Sequence, residues 1–578
     1  MNRDRGIERH RVAFGPRTAL AAGIVALLLL GGLAGKAEAA KKGKPARPNV
    51  VFILSDDQRV DDLKWMPKTR RLLGRAGTTF ENFLAPFPLC CPARMSILTG
   101  QYTHNHGVDG NFPPEGYYEL PRSEQTRTLP VWLKKAGYRT AHVGKYLNGY
   151  GVRKPTEIPP GWSDWHGSID QTSYDMFNYW VNDNGKVTKY GDNAWNEAIM
   201  EFSRRVANQE FPDYEAFRNY LFANIAVPFG GANGTFGTTS RKNHQVDELS
   251  NRAVGFVRKS ARGKAPFFLQ FAPPAPHRED LPENAGYRGI NPRVPERYEQ
   301  RVEDLEFPAD LPGGKNPPSF DEADISDKPG LLADFLPLAE YQTARPEISG
   351  LQAIENYRRG RVGNLWALDD AVARLVQTVK KAGELRNTIF IFHSDNGWLL
   401  GEHRILGDKY VPYEESLLVP TIVRGPGFPA GKKVEALGAN VDLTRTILNA
   451  ARVKPNRAQD GVDLKPLANG KAKRRSAMLI EATRALFVLP GFPLAWDVPY
   501  YGVRTDRFKY VNWCTEADRV ECGDGEWPIG REELYDLKSD PYEMTNLASD
   551  PAWAAKKAEL LALAERLRGC KGQGCVAR

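Results

Sequence analysis

Apolar, β-branched and aromatic residues occur along this chain in short runs that end in polar residues. Four of these runs occupy residues 49–54, 138–143, 267–271 and 388–392. Short runs of this kind, bounded by turn residues, predict buried strands typical of parallel sheets. Stretches with helical spacing of apolar residues lie between them, at 129–136, 246–257 and 357–382. The alternation of strands and helices predicts an α/β fold.

The last part of the chain has a different pattern. Three short segments beyond about residue 466 are typical of antiparallel strands, at 501–504, 509–513 and 533–537, and a helical segment follows at 551–568. We therefore expect a main domain over residues 46–465. A smaller α+β domain, built from an antiparallel sheet and a helix, should cover residues 466–578.

The first 39 residues have the order of a secretory signal peptide. Arginines come first, uncharged residues rich in Leu and Ala follow at 19–34, and a small-x-small cleavage pattern ends at Ala39. The apolar run is short for a membrane span, although an uncleaved anchor is the alternative. We expect an exported protein, secreted, periplasmic or on the cell surface, with no stable membrane span once the signal is removed.

The charge balance is mildly basic, with 79 Lys and Arg against 70 Asp and Glu and a formal net charge of +9. Such an excess could favour anionic substrates, but a solvated surface explains it more simply. The sequence has no Lys/Arg cluster interleaved with aromatic residues. We therefore expect no nucleic-acid partner.

The six cysteines form three pairs along the sequence, Cys90/Cys91, Cys514/Cys522 and Cys570/Cys575. An exported chain can keep disulfides, and the spacing of the second and third pairs predicts two local bridges. A disulfide between adjacent cysteines is strained and rare. The first pair therefore requires another explanation.

Polar side chains follow each of the four predicted strands: the pair Asp56 and Asp57, then Lys145, then His277, and the pair Asp395 and Asn396. In open α/β sheets, ligands bind beyond the carboxyl ends of the strands, so these side chains should converge. The two adjacent pairs offer hard oxygen ligands, which suit Ca²⁺ or Mg²⁺ and not Zn²⁺. One such pair is commonly only a cap or turn, but two pairs that each close a buried strand predict a metal site.

A short motif begins at Cys90. It reads Cys-Cys-Pro-Ala-Arg over residues 90–94 and continues with Leu-Thr-Gly at 98–100. Taken without its surroundings, a pair of buried cysteines before a helix is an equally good interpretation. The full motif resembles the signature of the type I sulfatases. By this resemblance, a formylglycine-generating enzyme oxidises Cys90 to Cα-formylglycine during maturation.

The resemblance implies a fold and a reaction. The fold is alkaline-phosphatase-like, with a mixed sheet sandwiched by helices and a smaller C-terminal antiparallel sheet and helix. The reaction is hydrolysis of a sulfate ester by the hydrated aldehyde, which has one hydroxyl to attack sulfur and another to release the sulfate. Pro92 suits the start of a helix that faces an anion, and Arg94 would hold the hydrate. Cys90 itself would complete the shell of a calcium ion, with Mg²⁺ as the alternative.

The same resemblance implies roles for residues outside the motif. These are Lys145, His277 and Lys409 as contacts of the sulfate, with Asn148 and His403 as further substrate contacts. His277 could also protonate the leaving oxygen. Many relatives have a histidine where this chain has Leu147, so one acid/base contact differs here.

The substrate class also follows from resemblance. The segments Gly-Lys-Tyr-Leu-Asn at 144–148 and Ile-Pro-Pro-Gly-Trp at 158–162 resemble the N-acetylglucosamine-6-sulfatase and extracellular endosulfatase branch. This implies a sulfated glycan, glucosamine 6-sulfate or a small sulfate ester. Two alternatives stay open: a formylglycine-dependent hydrolase of phosphonate or phosphate esters, and a secreted anion-binding protein without catalysis.

Overall fold

A mixed sheet built from ten of the described strands lies at the centre of the fold. The computed structural model describes residues 47–191, 193–211, 242–279, 291–307, 316–329, 335–338, 350–483, 499–513 and 532–578, with a few isolated positions between them. The strands are β1 Asn49–Ser55, β2 Thr78–Phe80, β3 Phe83–Leu84, β4 Arg139–Lys145, β5 Asp164–Ser168, β6 Trp180–Asp183, β7 Lys186–Lys189, β8 Phe267–Ala272, β9 Thr388–Ser394, β10 Thr421–Arg424, β11 Lys432–Val434, β12 Gly438–Ala439, β13 Ala477–Ala482, β14 Tyr500–Thr505, β15 Phe508–Trp513 and β16 Glu532–Asp536.

Helices occupy much of the chain between these strands. They are α1 Pro67–Thr69, α2 Cys90–Thr99, α3 Thr103–His106, α4 Arg122–Gln125, α5 Leu129–Lys135, α6 Asn193–Ala207, α7 Gln245–Ser260, α8 Glu299–Glu303, α9 Gly350–Lys381, α10 Glu414–Leu417, α11 Val441–Ala451, α12 Leu464–Ala468 and α13 Ala554–Arg568. The three helices predicted between strands correspond to α5, α7 and α9.

The four strands predicted from the sequence lie side by side in the central sheet, whose order is β11-β2-β10-β9-β1-β8-β4-β5-β6-β7. β1 is parallel to β8 and β9, and β4 is parallel to β8, so the carboxyl ends of all four lie at one edge. β10 and β6 are antiparallel to their neighbours, which makes the sheet mixed. The predicted α/β fold is confirmed.

Helices cover both faces of this sheet. Val50 and Phe52 of β1 belong to one hydrophobic core with residues of α2, α5 and α11. Val51 and Ile53 belong to another core with residues of α7 and α9. Because successive side chains of a strand point to opposite faces, β1 is buried on both sides. This explains why its sequence is a continuous apolar run and not an alternating one.

A second, four-stranded sheet forms from the later part of the described chain. Its order is β13-β14-β15-β16, and every pair is antiparallel. Leu560 and Ala564 of α13 share a core with residues of this sheet, so the predicted antiparallel sheet and helix are confirmed. The sequence did not indicate β13, because its Ala, Met, Leu and Glu residues favour helices by propensity and only burial in the sheet overrides that preference.

The structure tests some of the remaining sequence predictions and leaves others outside its range. Cys570 and Cys575 form the predicted disulfide. The proposed signal at 1–39 and the Cys514/Cys522 pair lie outside the described residues. None of the helices in the described ranges is long and apolar enough to cross a membrane. The domain boundary near residue 466 stays a prediction.

Candidate active site

The ends of β1 and β9 bring four side chains with oxygen ligands together. The last residues of these strands are paired in register, so the residues that follow are neighbours. The backbone N–H of Asp57 donates to Asp395 Oδ1 at 3.2 Å, and Asn396 Nδ2 donates to Asp57 Oδ1 at 2.7 Å. Asp56 and the other three are fully buried. The two predicted pairs thus form one group, called the acidic cluster below.

Helix α2 begins at Cys90, beside the acidic cluster. The preceding Leu89 is extended, with ψ of 140°, and Pro92 lies in the first turn. Cys90 Sγ lies 3.7 Å from Asp56 Oδ1 and 2.9 Å from Lys409 Nζ. Burial raises the pKa of the Cys90 thiol to about 12. As a thiol, this side chain therefore stays protonated and is a poor nucleophile.

Two lysines from separate parts of the chain contact the acidic cluster. Lys145 is the last residue of β4, and its Nζ lies 2.6 Å from Asp56 Oδ2. Lys409 forms an ion pair with Asp57. Burial by itself would lower the pKa of each lysine, but the carboxylates raise both pKa values above the ordinary value. Both ammonium groups therefore keep their charge.

Arg94 joins α2 to the same strand ends. Its Nε donates to Asp395 Oδ2 at 2.8 Å, and its Nη2 lies 3.3 Å from Asp56 Oδ2. Its Nη1 donates to the backbone carbonyl of Lys145 at 2.7 Å. Because the guanidinium presents several donors in a fixed plane, these contacts fix the first turn of α2 against the acidic cluster.

His277 approaches the acidic cluster from the loop after β8. Its Nε2 lies 3.4 Å from Asp57 Oδ2, and its Nδ1 lies 2.7 Å from the carbonyl oxygen of Arg278. A carbonyl only accepts hydrogen bonds, so Nδ1 carries the proton. Burial lowers the pKa of His277, although Asp57 acts in the opposite sense. A neutral His277 therefore turns an acceptor nitrogen toward a carboxylate.

The residues present fit a divalent cation. One ligand atom from each of Asp56, Asp57, Cys90 and His277 lies within 4.8 Å of the others. Asn396 Oδ1 is buried and has no hydrogen-bond partner among the described residues. A cation would satisfy this oxygen and would separate the facing acceptors of the carboxylate and the imidazole. The predominance of oxygen atoms suits Ca²⁺ or Mg²⁺.

In the loop after β4, one side chain points into the hydrophobic core and the next one contacts Tyr174. Leu147 is buried in the hydrophobic core that contains α2 and α5, so it does not replace a polar contact. Asn148 Nδ2 donates to the Tyr174 hydroxyl at 2.7 Å. The Tyr174 ring lies beside His277 and below the Lys145 ammonium. Sequence reasoning missed Tyr174, because no motif surrounds it.

His403 belongs to a separate buried group. Its Nδ1 lies 2.6 Å from Glu322 Oε2. One ligand atom of His403 also lies within 4.8 Å of Glu415 and of Glu543. These contacts are not with the acidic cluster, so the predicted role of His403 in binding substrate stays a prediction without a contact to support it.

Two further residues contact the site and were not indicated by the sequence. Arg361, on α9, donates to the carbonyl oxygen of Asp57 at 2.8 Å and to Asp62 Oδ2 at 2.7 Å. The Trp398 ring centroid lies 5.2 Å from Lys409 Nζ. An arginine on the buried side of an amphipathic helix could have served as a signal for the first. The sequence around the second has no comparable signal.

A known family covers most of this chain. The family model described as Sulfatase matches residues 48–453, well over half of the sequence. This chain belongs to the sulfatase family. The sulfatase also matches a second family model, N-sulphoglucosamine sulphohydrolase, C-terminal, over residues 401–570. The resemblance to type I sulfatases is confirmed, and with it the expectation of an enzyme.

Curated relatives of the sulfatase align over different shares of their length. The N-acetylglucosamine-6-sulfatase of Homo sapiens is 29% identical over 99% of this chain and 92% of its own. The arylsulfatase of Volvox carteri is 29% identical over 96% of this chain and 79% of its own. The extracellular sulfatase SULF-1 homolog of Drosophila melanogaster is 31% identical over 73% of this chain, but the sulfatase spans only 31% of that protein.

Solved structures confirm the alkaline-phosphatase-like fold of the sulfatase. One, described as a complex with its substrate D-glucosamine-2-N,6-O-disulfate, has a TM-score of 0.61 at 22% identity and covers 90% of this chain and 97% of its own. The phosphonate monoester hydrolase of Silicibacter pomeroyi has a TM-score of 0.60 at 22% identity, with coverage of 90% and 96%.

Proposed function

We propose that this sulfatase hydrolyses sulfate esters by means of a formylglycine made from Cys90 and a bound Ca²⁺, with Mg²⁺ as the alternative cation. The observation that supports this most directly is the position of Cys90. Its Sγ has Lys409 Nζ at 2.9 Å and Asp56 Oδ1 at 3.7 Å. A side chain at this position contacts both a carboxylate, which can bind a cation, and an ammonium group, which can bind an anion.

The chain's own residues would divide the work of binding and proton transfer. Hydrated formylglycine beside a cation supplies two hydroxyls on one carbon, one to attack sulfur and one to permit release of sulfate. The acidic cluster holds the cation, and Arg94 orients the start of α2. Lys145 and Lys409 stabilise the negative sulfate oxygens. His277 directs its Nε2 into the site, and this nitrogen must first take up a proton before it can pass one to the leaving oxygen.

We infer that the substrate carries sulfate on glucosamine, as a 6-sulfated monosaccharide or within a sulfated glycan. The human relative that aligns over 99% of this chain is named N-acetylglucosamine-6-sulfatase. The relative from Bacteroides thetaiotaomicron is named N-acetylglucosamine-6-O-sulfatase and aligns over 91% of this chain. Small aryl sulfates should also serve as artificial substrates, because the proposed contacts are made to the sulfate group.

Export and maturation belong to the same proposal. The basic and apolar order of residues 1–39 supports a signal peptide. The names of the Drosophila and Caenorhabditis elegans relatives, which describe extracellular sulfatases, support export. A formylglycine-generating enzyme must then act on the unfolded chain or on an exposed segment, because Cys90 is buried in the folded protein.

Peptide mass spectrometry of residues 88–94, from protein isolated from its native host, tests the nucleophile. We expect the mass loss of a thiol-to-aldehyde conversion at Cys90. The same preparation should hydrolyse an aryl sulfate and glucosamine 6-sulfate faster than a phosphonate monoester, and a chelator should abolish this activity until Ca²⁺ is restored. An active preparation with an unmodified thiol would contradict the proposed mechanism, and preference for the phosphonate would contradict the proposed substrate class.

A further inference from the structure

Tyr174 lies among three side chains of the proposed site. Its ring centroid is 4.5 Å from that of His277, and the Lys145 Nζ is 4.6 Å from the ring centroid. Its hydroxyl accepts the hydrogen bond from Asn148 Nδ2 at 2.7 Å. Only 5% of Tyr174 is exposed. One buried side chain therefore contacts an ammonium group from the end of β4, an amide from the loop after β4 and an imidazole from the loop after β8.

The segment that carries Tyr174 is attached to both of these loops. Asp170 Oδ2 accepts a hydrogen bond from the backbone N–H of Gly149 at 2.6 Å, in the loop after β4. The backbone N–H of Met176 donates to Glu279 Oε1 at 2.6 Å, in the loop after β8. The anchors lie on either side of Tyr174 in sequence. Its ring is therefore placed relative to both loops at once.

Each contact of Tyr174 restricts the movement of the side chain that it touches. The Lys145 chain is flexible, and an aromatic face stabilises its ammonium group on one side. The His277 ring is tilted by 36° against the Tyr174 ring, which limits its rotation. The Asn148 amide is held by the hydrogen bond between its Nδ2 and the Tyr174 hydroxyl, and its Oδ1 has no hydrogen-bond partner among the described residues.

We propose that Tyr174 is a positioning residue for sulfate binding. Its ring sets the positions of Lys145 and His277, and its hydroxyl sets the orientation of Asn148. This inference rests on the proposed function, because it assumes that these side chains hold the sulfate ester. Removal of the hydroxyl and removal of the ring should therefore have different effects. The hydroxyl holds Asn148, which we expect to bind substrate, whereas the ring also holds His277, which we expect to deliver a proton.

Two substitutions separate the hydroxyl from the ring. Tyr174→Phe leaves the Asn148 amide donor buried and unpaired, so KM for an aryl sulfate and the inhibition constant of inorganic sulfate should rise about fivefold to tenfold. Its kcat should change less than about twofold, since the ring remains. Tyr174→Leu also removes the ring, and kcat should then fall by about tenfold or more because His277 loses its fixed orientation.

Tyr179→Phe is the matched control. Tyr179 is a buried tyrosine close in sequence, and its hydroxyl donates to the backbone carbonyl of Asn243 at 2.8 Å, not to a residue of the site. Its KM, kcat and sulfate inhibition should match those of the parent. The double variant Tyr174→Phe/Asn148→Ala should raise KM less than the product of the single effects, because the two residues share one hydrogen bond.

The experiment is carried out on the full, formylglycine-containing enzyme, with thermal unfolding measured for each variant. An active parent and a Tyr174→Phe variant with parental KM and sulfate inhibition would overturn the role of Tyr174 and leave the proposed function intact. Equal kinetic effects in Tyr179→Phe would overturn it as well, since these would report general destabilisation. A parent that contains formylglycine but hydrolyses no sulfate ester would overturn the proposed function, and this inference with it.

Discussion

At the scale of single residues, the partners of a buried carboxylate decide its proton affinity. Burial by itself would raise the pKa of Asp56, but Lys145 and Arg94 hold that pKa well below its usual range. Burial and the negative charge of Asp56 raise the pKa of Asp395 to about 6. The pKa values of these neighbouring carboxylates thus differ because Asp56 has more positive charge close to it. A bound cation would remove this difference by favouring the ionised form of both.

Cys90→Ser should separate folding from catalysis. Serine fits the space of the cysteine, so the thermal unfolding temperature should stay close to that of the parent. Multiple turnover of an aryl sulfate should fall by about a hundredfold or more, because a serine has one hydroxyl and no second one to release the sulfate. Burst and steady-state kinetics measure the two steps separately.

Cys91→Ala is the control for this substitution. Cys91 is fully buried in the hydrophobic core and makes no part of the proposed site. This variant should lose some stability through a small cavity but keep formylglycine formation and turnover. Steady-state turnover of Cys90→Ser at the parental rate would refute the need for two hydroxyls.

At the scale of elements, the close approach of β4 to β8 positions Lys145. Gly144 has φ of +114°, and a Cβ there would lie 2.1 Å from the carbonyl oxygen of Ala272. Backbone atoms cannot yield as a flexible side chain can, so the strands would have to separate. The end of β4 requires glycine at residue 144 for two reasons. Its φ is positive, and a Cβ would collide with the backbone of β8.

Gly144→Ala should therefore lower both stability and activity. We expect a loss of at least about 2 kcal/mol in the free energy of unfolding, together with a large fall in kcat/KM as Lys145 moves. Gly255→Ala is the control, because a Cβ at this position on α7 meets nothing within 4 Å. It should be neutral or stabilising by about 0.5–1 kcal/mol. Equal behaviour of the two variants in chemical unfolding would contradict the steric argument.

A second contact between elements depends on pH. His104 on α3 has its Nδ1 2.7 Å from Glu481 Oε2 on β13, and its Nε2 2.9 Å from the carbonyl oxygen of Cys570. Burial opposes protonation of His104, but the bond to Glu481 raises its pKa to about 9. The protonated ring donates at both nitrogens. This contact therefore joins α3, the second sheet and the C-terminal loop through one charged group.

The raised pKa of His104 fixes the direction of the pH effect. Its stabilisation is fully present below the ordinary value of 6.5 and is lost as pH rises through about 9. The parent should lose on the order of 2 kcal/mol relative to His104→Gln between these limits. Denaturant unfolding at both limits, at constant Ca²⁺, measures this difference. Parallel pH profiles of the parent and the variant would contradict it.

At the scale of the whole molecule, the proposed cation should stabilise the fold. Its ligands come from the ends of two central strands and from the start of α2, which are assembled only in the native state. A cation at a hundredfold excess over its Kd would add about 2.7 kcal/mol. The Tm should rise by a few degrees with Ca²⁺ and fall with a chelator. Asp57→Asn should lose this response, and a parent Tm insensitive to both Ca²⁺ and Mg²⁺ would contradict the site.

The sequence by itself determined the sheet core and most of the acidic cluster. Buried strands have continuous apolar runs in their sequence. Asp56, Lys145 and Asp395 directly follow or end such strands, so the local pattern was enough to predict that they lie at one edge of the central sheet. The motif at Cys90 likewise depends on consecutive residues. These features are local in the chain, and local features can be read without knowledge of long-range contacts.

Only the tertiary structure decided which distant residues meet. Tyr174 touches Lys145 and His277 because two hydrogen bonds anchor its segment to separate loops, and no spacing in the sequence encodes that. His403 lies close in sequence to Lys409 but contacts Glu322 instead of the acidic cluster. β13 is a strand because its residues are buried in the second sheet, against their own helical preference. In each case, long-range packing and the need to pair buried polar groups set the result.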